Sequence, residues 1–275
     1  MTPQATGRRI DERIALCHDA LPPQERRAAD ALLTHLDDLA TYRAAELASL
    51  AGVSKATMSR LFRSLGFADF DEVRDHVRAL RVAGEPRRTE GTPSLAGHAT
   101  NEAEAIGRLL ETAPIPQAVA MLAEARRVLV VGWRNSYPVA LHLREQLAQI
   151  RDSVTIGPQP GQTVGEELAG IEADDVVVAV GFRRRPAVFS SFVGEAVHSG
   201  AAVIVLADPT GAPHLRRATL PLECPVQGAL AFDSYAAAMS LVSVLADGVL
   251  ERRGRAGRDR TSAVASAYDR LGEIE

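Results

Sequence analysis

Basic and hydroxyl side chains occur at helical spacing between residues 54 and 63. The candidate contact residues are Ser54, Lys55, Ala56, Thr57, Ser59, Arg60 and Arg63, with Arg43 a short distance upstream. Such groups on one helix can reach phosphate oxygens and base edges, the two parts of DNA that proteins contact. No Asp or Glu occurs from residue 47 to residue 68, although the chain carries 35 acidic residues. Since an acid would oppose phosphate binding, the stretch favours contact with DNA.

Two short helices joined by a tight turn are predicted to position these side chains. Gly52 can adopt the left-handed conformation of the turn, and Ser54 is a good N-cap for the second helix. Met58, Leu61 and Phe62 then share an inward face. The pattern is typical of a helix-turn-helix whose second helix enters the major groove. An ordinary helical hairpin with a solvated basic face is the alternative interpretation.

A second basic cluster lies in the other half of the chain, in the segments 132–136 and 181–186. Its arginines are Arg134, Arg183, Arg184 and Arg185. Each segment precedes a predicted helix, whose first backbone amides favour anions, and guanidinium groups match carboxylate or phosphate. We therefore expect an anionic ligand. The alternative is a cluster that binds nothing or pairs with acids of a partner subunit, and Trp133 would either cap the ligand or pack against that partner.

Five short apolar runs predict the sheet that would bring the two segments together. They are Val128–Val131, Val154–Ile156, Val176–Val180, Val203–Leu206 and Ala218–Leu222. Continuous Val and Ile runs between helices indicate parallel strands covered on both faces. Ligands of such sheets bind beyond the carboxyl ends of the strands. The last run contains Pro221, which suits an edge strand.

The chain is predicted to have two domains and to be α/β overall. An all-α helix-turn-helix bundle occupies residues 1–82, a linker rich in Gly, Pro and charge occupies residues 83–97, and the sheet domain occupies residues 98–275. Further helices are predicted near residues 24–39, 69–82, 98–112, 115–124 and 232–253. The alternative for the linker is a long ordered surface loop.

The arginine-rich tail at residues 252–260 is predicted to be a solvated loop before a final short helix. A second contact with DNA is the alternative interpretation of this tail, because arginines attract phosphate.

Composition excludes several classes of protein. A formal net charge of −4 argues against a protein that coats nucleic acid without specificity. Cys17 and Cys224 are too isolated for a disulfide framework, and the seven histidines show no metal-ligand spacing. No apolar run approaches the ~20 residues of a membrane helix. We expect no metal, no cofactor, no membrane contact and a cytoplasmic location.

The order of these parts resembles that of RpiR-type transcriptional regulators, which join a helix-turn-helix domain to a sugar-isomerase (SIS) domain. The matching segments are residues 53–61 with Leu65–Phe67, Val130–Gly132 with Ser136, 175–180, and 199–208. The resemblance implies a five-stranded parallel α/β sandwich of SIS type that binds a phosphosugar or similar effector and self-associates. The effector-binding residues would be Gly132, Trp133, Arg134, Asn135, Ser136, Gly181, Arg183, Arg184, Arg185 and Asp208.

Two departures from the SIS pattern change the expected effector. The second glycine of the usual Gly-x-Gly-x-Ser motif is Arg134 here, and the usual hydroxyl loop Ser-x-Ser-Gly-x-Thr is replaced by residues 181–186, which contain no hydroxyl. Arginines could supply charge where the hydroxyls are missing. An anionic effector is therefore still expected, and a sugar acid or another carboxylate fits as well as a phosphosugar.

The favoured hypothesis is a homodimeric or homotetrameric regulator, a repressor rather than an activator, that reads an inverted repeat in duplex DNA and responds to an acidic small molecule. An enzyme is the second hypothesis, in which a sugar-phosphate isomerase would use a general base. The available bases are His142, His198, Glu166 and Glu195. None has a recognisable catalytic spacing, so we expect no enzymatic activity. A third hypothesis is a DNA-binding domain on an inert oligomerisation module.

Overall fold

Two compact units make up the chain. The computed structural model describes residues 10–35, 39, 42–82, 94–228 and 230–274, and the described parts of the two units are residues 10–82 and 94–274. Most of the predicted linker, residues 83–93, lies outside the described residues. Its last part does not form a linker, because a helix begins at Leu95 with the Ser94 hydroxyl accepting from the Gly97 amide at 3.0 Å.

The N-terminal unit is a bundle of short helices. They are α1 (Ile10–Cys17), α2 (Pro23–Thr34), α3 (Ala44–Leu50), α4 (Lys55–Ser64) and α5 (Phe70–Val82). Leu32, Leu47 and Phe62 are among its fully buried side chains. Helix α2 ends at Thr34, earlier than the predicted residue 39.

The C-terminal unit begins with helices and continues as alternating strands and helices. The elements are α6 (Leu95–Thr112), α7 (Ile115–Glu124), β1 (Val128–Gly132), α8 (Tyr137–Ile150), β2 (Val154–Gly157), α9 (Gly165–Ala169), β3 (Val176–Val180), α10 (Val188–His198), β4 (Ala202–Ala207), α11 (Ala212–Leu215), β5 (Leu220–Glu223) and α12 (Ala236–Leu271). The five strands are parallel, in the order β2-β1-β3-β4-β5. Strand β5, with Pro221, is at one edge as predicted.

Alternation along the strands divides the core into two layers. Val128 and Val130 of β1 face a cluster that includes residues of α7, α8 and α12, whereas Leu129 and Val131 face residues of α10. Both layers are closed to water, so every residue of β1 and β3 is buried. This explains why these strands are continuous apolar runs.

The end of the chain differs from the prediction. Helix α12 starts at Ala236 rather than near residue 232, and residues 252–260 belong to it rather than to a solvated loop. Gly254 interrupts the helix with φ 55° and ψ −121°. The helix resumes beyond it, where the Thr261 hydroxyl donates to the Gln149 carbonyl at 3.1 Å. A left-handed glycine commonly marks the end of a helix, but here the chain returns to helical conformation after Gly254.

None of the described helices has the length and apolar character that crossing a membrane requires.

Candidate DNA-binding surface and effector site

Helix α4 is fixed at both of its ends. The Ser54 hydroxyl accepts from the Thr57 amide at 3.1 Å, as an N-cap does, and Gly52 has the predicted left-handed φ of 63°. Beyond the last turn, the guanidinium of the buried Arg13 donates to the Leu65 carbonyl at 3.1 Å. A cation at this end also favours the helix dipole. The sequence predicted the first of these contacts but not the second.

The two faces of α4 differ in the way that the sequence predicts. Met58, Leu61 and Phe62 are buried in the core of the unit. The exposed residues on this helix are Lys55, Ala56, Ser59, Arg60, Arg63 and Ser64, preceded by the exposed N-cap Ser54. Arg43, just before α3, is also exposed and lines one cleft with Ser59. The exposed face therefore combines positive charge with hydroxyl groups.

Thr57 is an exception among the predicted contacts. Its residue exposure is 5%, and its hydroxyl lies 2.9 Å from that of Ser54 and accepts from Arg60 Nη2 at 3.2 Å. A side chain so enclosed cannot reach a base edge. The prediction that Thr57 contacts DNA directly is therefore wrong in this structure, because position 57 faces the turn rather than solvent.

An acidic side chain lies beside α4 although the sequence around α4 is free of acids. Glu25 of α2 accepts a hydrogen bond from the Ser64 hydroxyl at 3.0 Å, and its other oxygen lies 3.9 Å from Arg60 Nε. Sequence reasoning missed this residue. A signal was available, because Glu25 shares the inward face of α2 with Ala28, Ala29 and Leu32 at helical spacing.

The predicted effector segments meet at the carboxyl edge of the sheet. Strands β1 and β3 are neighbours, and in a sheet of this order the chain leaves them in opposite directions, which opens a crevice. Residues 134–136 form a 3-10 turn that leads into α8, and the Ser136 hydroxyl accepts from the Phe182 amide at 3.0 Å. This hydrogen bond joins the two segments directly.

Arg185 pairs with an acid of its own chain. Its Nη1 donates to Asp208 Oδ1 and to the Gly181 carbonyl, both at 2.8 Å, and its Nη2 donates to the Thr210 hydroxyl at 2.7 Å. Asp208, at the end of β4, is only 1% exposed and also caps the next turn by accepting from the Thr210 amide. Asp208 was predicted to bind effector, but its contacts are internal.

Arg183 makes a second internal ion pair. Its Nη1 lies 3.1 Å from Asp233, in the segment before α12, and its Nε lies 3.8 Å from Asp208. Arg183 and Arg185 therefore pair with acids of their own chain, whereas the alternative interpretation expected acids of a partner subunit. That the arginines bind an anionic ligand stays a prediction, with Arg183 and Arg185 already paired to acids of the chain.

Arg134 and Arg184 behave differently from their neighbours. Both are exposed, and both have left-handed backbone conformations, with φ of 53° and 54°. Such a conformation is uncommon outside glycine and is found most often at functional sites. At the position of the usual motif's second glycine, Arg134 thus has a backbone conformation that suits glycine, while its side chain is exposed.

The two glycines of the predicted site have packing roles. A Cβ on Gly132 would lie 2.9 Å from the Ala140 methyl group, and a Cβ on Gly181 would lie 2.2 Å from the Phe189 ring. Trp133 packs edge-on against Phe189 and Phe192, with ring centroids 6.0 and 5.6 Å apart. Neither expected role of Trp133, a cap on a ligand or a contact with a partner, is what these contacts show.

Tyr235 and His214 border the crevice. Burial, and next the charge of Asp233, raises the pKa of Tyr235, while its hydrogen bond with Asn135 opposes this. Burial lowers the pKa of His214, and the neighbouring positive charges of Arg185 and Arg217 lower it further. Among the described residues, no three His, Cys, Asp or Glu side chains converge as a metal site would require.

Two family models match the chain. The helix-turn-helix domain of the rpiR family matches residues 9–80, and the SIS domain matches residues 121–247. With these two domains in this order, the chain is of the RpiR type. The predicted resemblance and the predicted fold, a helical N-terminal bundle followed by a five-stranded parallel sandwich of SIS type, are confirmed.

Relatives of this RpiR-type chain include regulators and longer bifunctional proteins. The bifunctional protein glk of Burkholderia orbicola is 28% identical over 97% of the chain, which spans only 43% of that relative's length. The HTH-type transcriptional regulator HexR of Pseudomonas aeruginosa is 24% identical over 86% of the chain and 87% of its own length.

Solved structures share the fold of this RpiR-type chain. The sugar isomerase domain of an RpiR transcription factor from Sphaerobacter thermophilus superposes with a TM-score of 0.57 and 25% identity, over 64% of this chain and 97% of that domain. The Vibrio vulnificus NanR protein complexed with ManNAc-6P superposes with a TM-score of 0.59 and 19% identity, over 96% of this chain and 99% of that protein.

Proposed function

We propose that the protein regulates transcription by binding duplex DNA through α4, and that an acidic small molecule bound at the carboxyl ends of β1 and β3 alters this binding. One observation carries the proposal: α4 is capped, packed on one face and basic on the other. A helix held rigidly in this way can enter the major groove without losing much conformational freedom on binding. We propose that the regulator is a repressor with no enzymatic activity.

The proposed DNA contacts have two roles. Lys55 and Arg63 would neutralise phosphates, because they are exposed at opposite ends of α4, and Arg60 with Ser59 would read base edges. Two copies of the chain in a homodimer, or four in a homotetramer, would place recognition helices about one turn of DNA apart and select an inverted repeat.

The DNA proposal is tested by selecting a binding site from random duplexes and measuring its affinity by fluorescence anisotropy. Arg60→Ala should weaken binding to the selected site about 10- to 100-fold, whereas unrelated duplex DNA should be affected much less. Arg27→Ala is the matched control, since Arg27 is an exposed arginine on α2. Equal affinities for Arg60→Ala and the control would refute the assignment. A reporter gene behind the selected site distinguishes repression from activation.

Charge supports an acidic effector. Four arginines lie in the two segments that border the crevice, against the carboxylates of Asp208 and Asp233, and the two exposed arginines, Arg134 and Arg184, have no acidic partner in the ion pairs described above. The amides that begin α8 add a favourable field for an anion. Because the fold of NanR holds ManNAc-6P, a phosphorylated sugar is the first class to test, followed by sugar acids and dicarboxylates.

Effector binding is tested by thermal shift with panels of these acids. A ligand at ~100 times its dissociation constant should stabilise the protein by ~2.7 kcal/mol. Arg184→Ala should abolish the shift without unfolding the protein, since Arg184 is exposed. The exposed Arg258 on α12 provides the matched control, Arg258→Ala. Alanine at Arg183 or Arg185 is a poorer test because it removes a partner of the buried Asp208.

A second candidate function is an inert oligomerisation module, favoured by the internal pairing of Arg183 and Arg185. Operator affinity that does not respond to any acid in the panels would support it. Isomerase activity is less consistent with the fold. Helix α10 runs from the carboxyl end of β3 to the amino end of β4, so Glu195 and His198, near its end, lie at the edge of the sheet away from the crevice.

A further inference from the structure

Glu25 is an acidic residue enclosed beside the proposed DNA-binding helix. Its side chain is 9% exposed and contacts two residues one turn apart on α4, accepting from the Ser64 hydroxyl at 3.0 Å and lying 3.9 Å from Arg60 Nε. Removing a carboxylate from water is costly unless it is paired and hydrogen-bonded. An acid at this position also reduces the attraction of the surface for phosphate. Its two partners on α4 offset the cost of burying the carboxylate, but they do not explain why an acid lies beside a helix proposed to bind DNA.

Arg60 is held along one edge of its guanidinium group. The Nε atom faces Glu25, and Nη2 donates to the enclosed Thr57 hydroxyl at 3.2 Å. Thr57 is in turn fixed by the N-cap Ser54 at 2.9 Å. The side chain of Arg60 is nevertheless 60% exposed. These contacts engage the edge formed by Nε and Nη2 and leave the terminal edge, formed by Nη1 and Nη2, directed away from them.

We propose that Glu25 is a positioning residue that makes Arg60 a reader of guanine rather than a phosphate contact. The inference rests on the proposed function. Bidentate hydrogen bonds from arginine to guanine O6 and N7 need a correctly oriented edge, whereas attraction to phosphate needs mainly net charge. By pairing with Arg60, Glu25 reduces that net charge and fixes the orientation. Specificity is gained at the expense of general affinity for DNA.

The test compares wild-type protein with Glu25→Gln on a selected site and on a duplex of scrambled sequence. Glutamine keeps the shape and can still accept from Ser64, but it no longer neutralises Arg60. Affinity for scrambled DNA should rise, and the ratio of specific to non-specific affinity should fall about tenfold, since one base reader is lost. The slope of log affinity against log salt on scrambled DNA should steepen by about 1.

Two further variants isolate the role of Arg60. Ser64→Ala removes the other partner of Glu25 and should leave the specificity ratio within about twofold of wild type. In an Arg60→Ala background, Glu25→Gln should change the specificity ratio little, because the group that it positions is absent. If Glu25→Gln does not fold, Thr57→Val removes the other contact on the same edge and should also lower the specificity ratio.

The outcomes separate this proposal from the one on which it rests. If wild-type protein prefers a selected site and Glu25→Gln has the same specificity ratio as wild type, the positioning role is overturned. The proposal that the protein binds DNA then stands. An equal loss of affinity on both duplexes, or an effect of Glu25→Gln that persists without Arg60, would also overturn the positioning role. Wild-type protein without preference for any duplex would overturn both proposals.

Discussion

Arginines are prominent in both units of the molecule, but the fold uses them differently. On α4, Arg60 and Arg63 are exposed, and Arg60 remains 60% exposed although the Glu25 carboxylate lies 3.9 Å from its Nε. At the sheet edge, Arg185 contacts the buried Asp208 directly at 2.8 Å. The same residue type is therefore exposed in one unit and holds loops through internal ion pairs in the other. Counting charges along a sequence cannot distinguish these roles, because pairing depends on partners that are distant in the chain.

The strongest test of this contrast is the stability of the C-terminal unit. Arg185→Ala should lower the free energy of unfolding by about 3 kcal/mol, because it removes the guanidinium group closest to the buried Asp208. Arg63→Ala on α4 should change it by less than about 0.5 kcal/mol. Chemical denaturation followed by circular dichroism measures both. Similar values for the two variants would contradict the distinction between supporting and exposed arginines.

The ion pair between Asp233 and Arg183 provides the next test. Asp233→Asn removes a negative charge 3.1 Å from the guanidinium, so a small anion should bind about tenfold more tightly. Isothermal titration with the acid identified by thermal shift measures the change. Asp247→Asn, at an exposed position on α12, is the control and should leave affinity unaltered. Unchanged affinity in Asp233→Asn would place the anion away from Arg183.

Arg134 tests the comparison between exposed and paired arginines at the sheet edge, because it is exposed there. Arg134→Gly relieves a left-handed backbone, so the free energy of unfolding should stay within about 1 kcal/mol of wild type while anion binding weakens. Arg108→Gly, within α6, should instead destabilise by about 1 kcal/mol, because glycine is a poor helix former. A large loss of stability in Arg134→Gly would show that its side chain has a structural role.

The smallest expected effect concerns pH. Since burial depresses the pKa of His214 below the 6.5 of the unfolded chain, the unfolded state binds the proton more readily. The stability that neutral His214 contributes is therefore fully present above about pH 6.5, and it decreases as the pH falls toward the pKa of His214 in the folded protein. His214→Gln should flatten the decline of melting temperature between pH 7 and pH 5. His142→Gln is the control, and an equal flattening in it would contradict the role of His214.

The sequence predicted the sheet and helix α4 well for a physical reason. A continuous run such as Val176–Val180 can be satisfied only by burial on both faces, and the strand has those bounds. Likewise, Gly52 and Ser54 specify a turn and a cap through their own backbone and side-chain chemistry. Such signals are local, and they do not depend on the rest of the fold.

The site was less predictable because its contacts join distant parts of the chain. Arg183 and Asp233 are 50 residues apart, and Glu25 and Arg60 are 35 apart, so no spacing rule connects them. Helix α12 was missed beyond residue 253 because Gly254 and Gly257 resemble a helix end. Beyond Gly254 the helix resumes, and its Arg260 and Thr261 side chains donate to carbonyls at the end of α8.

The left-handed Gly254 gives the C-terminal arm of the molecule a direction that depends on one residue. The arm from Arg255 to Leu271 is about 25 Å long, so a small torsional change at its base moves its tip through a large arc. Gly254 has open space where a Cβ would be, and only its backbone angle disfavours other residues. Any other residue there would strain the base of the arm, and a change in the arm's direction would also break the hydrogen bonds that Arg260 and Thr261 donate to α8.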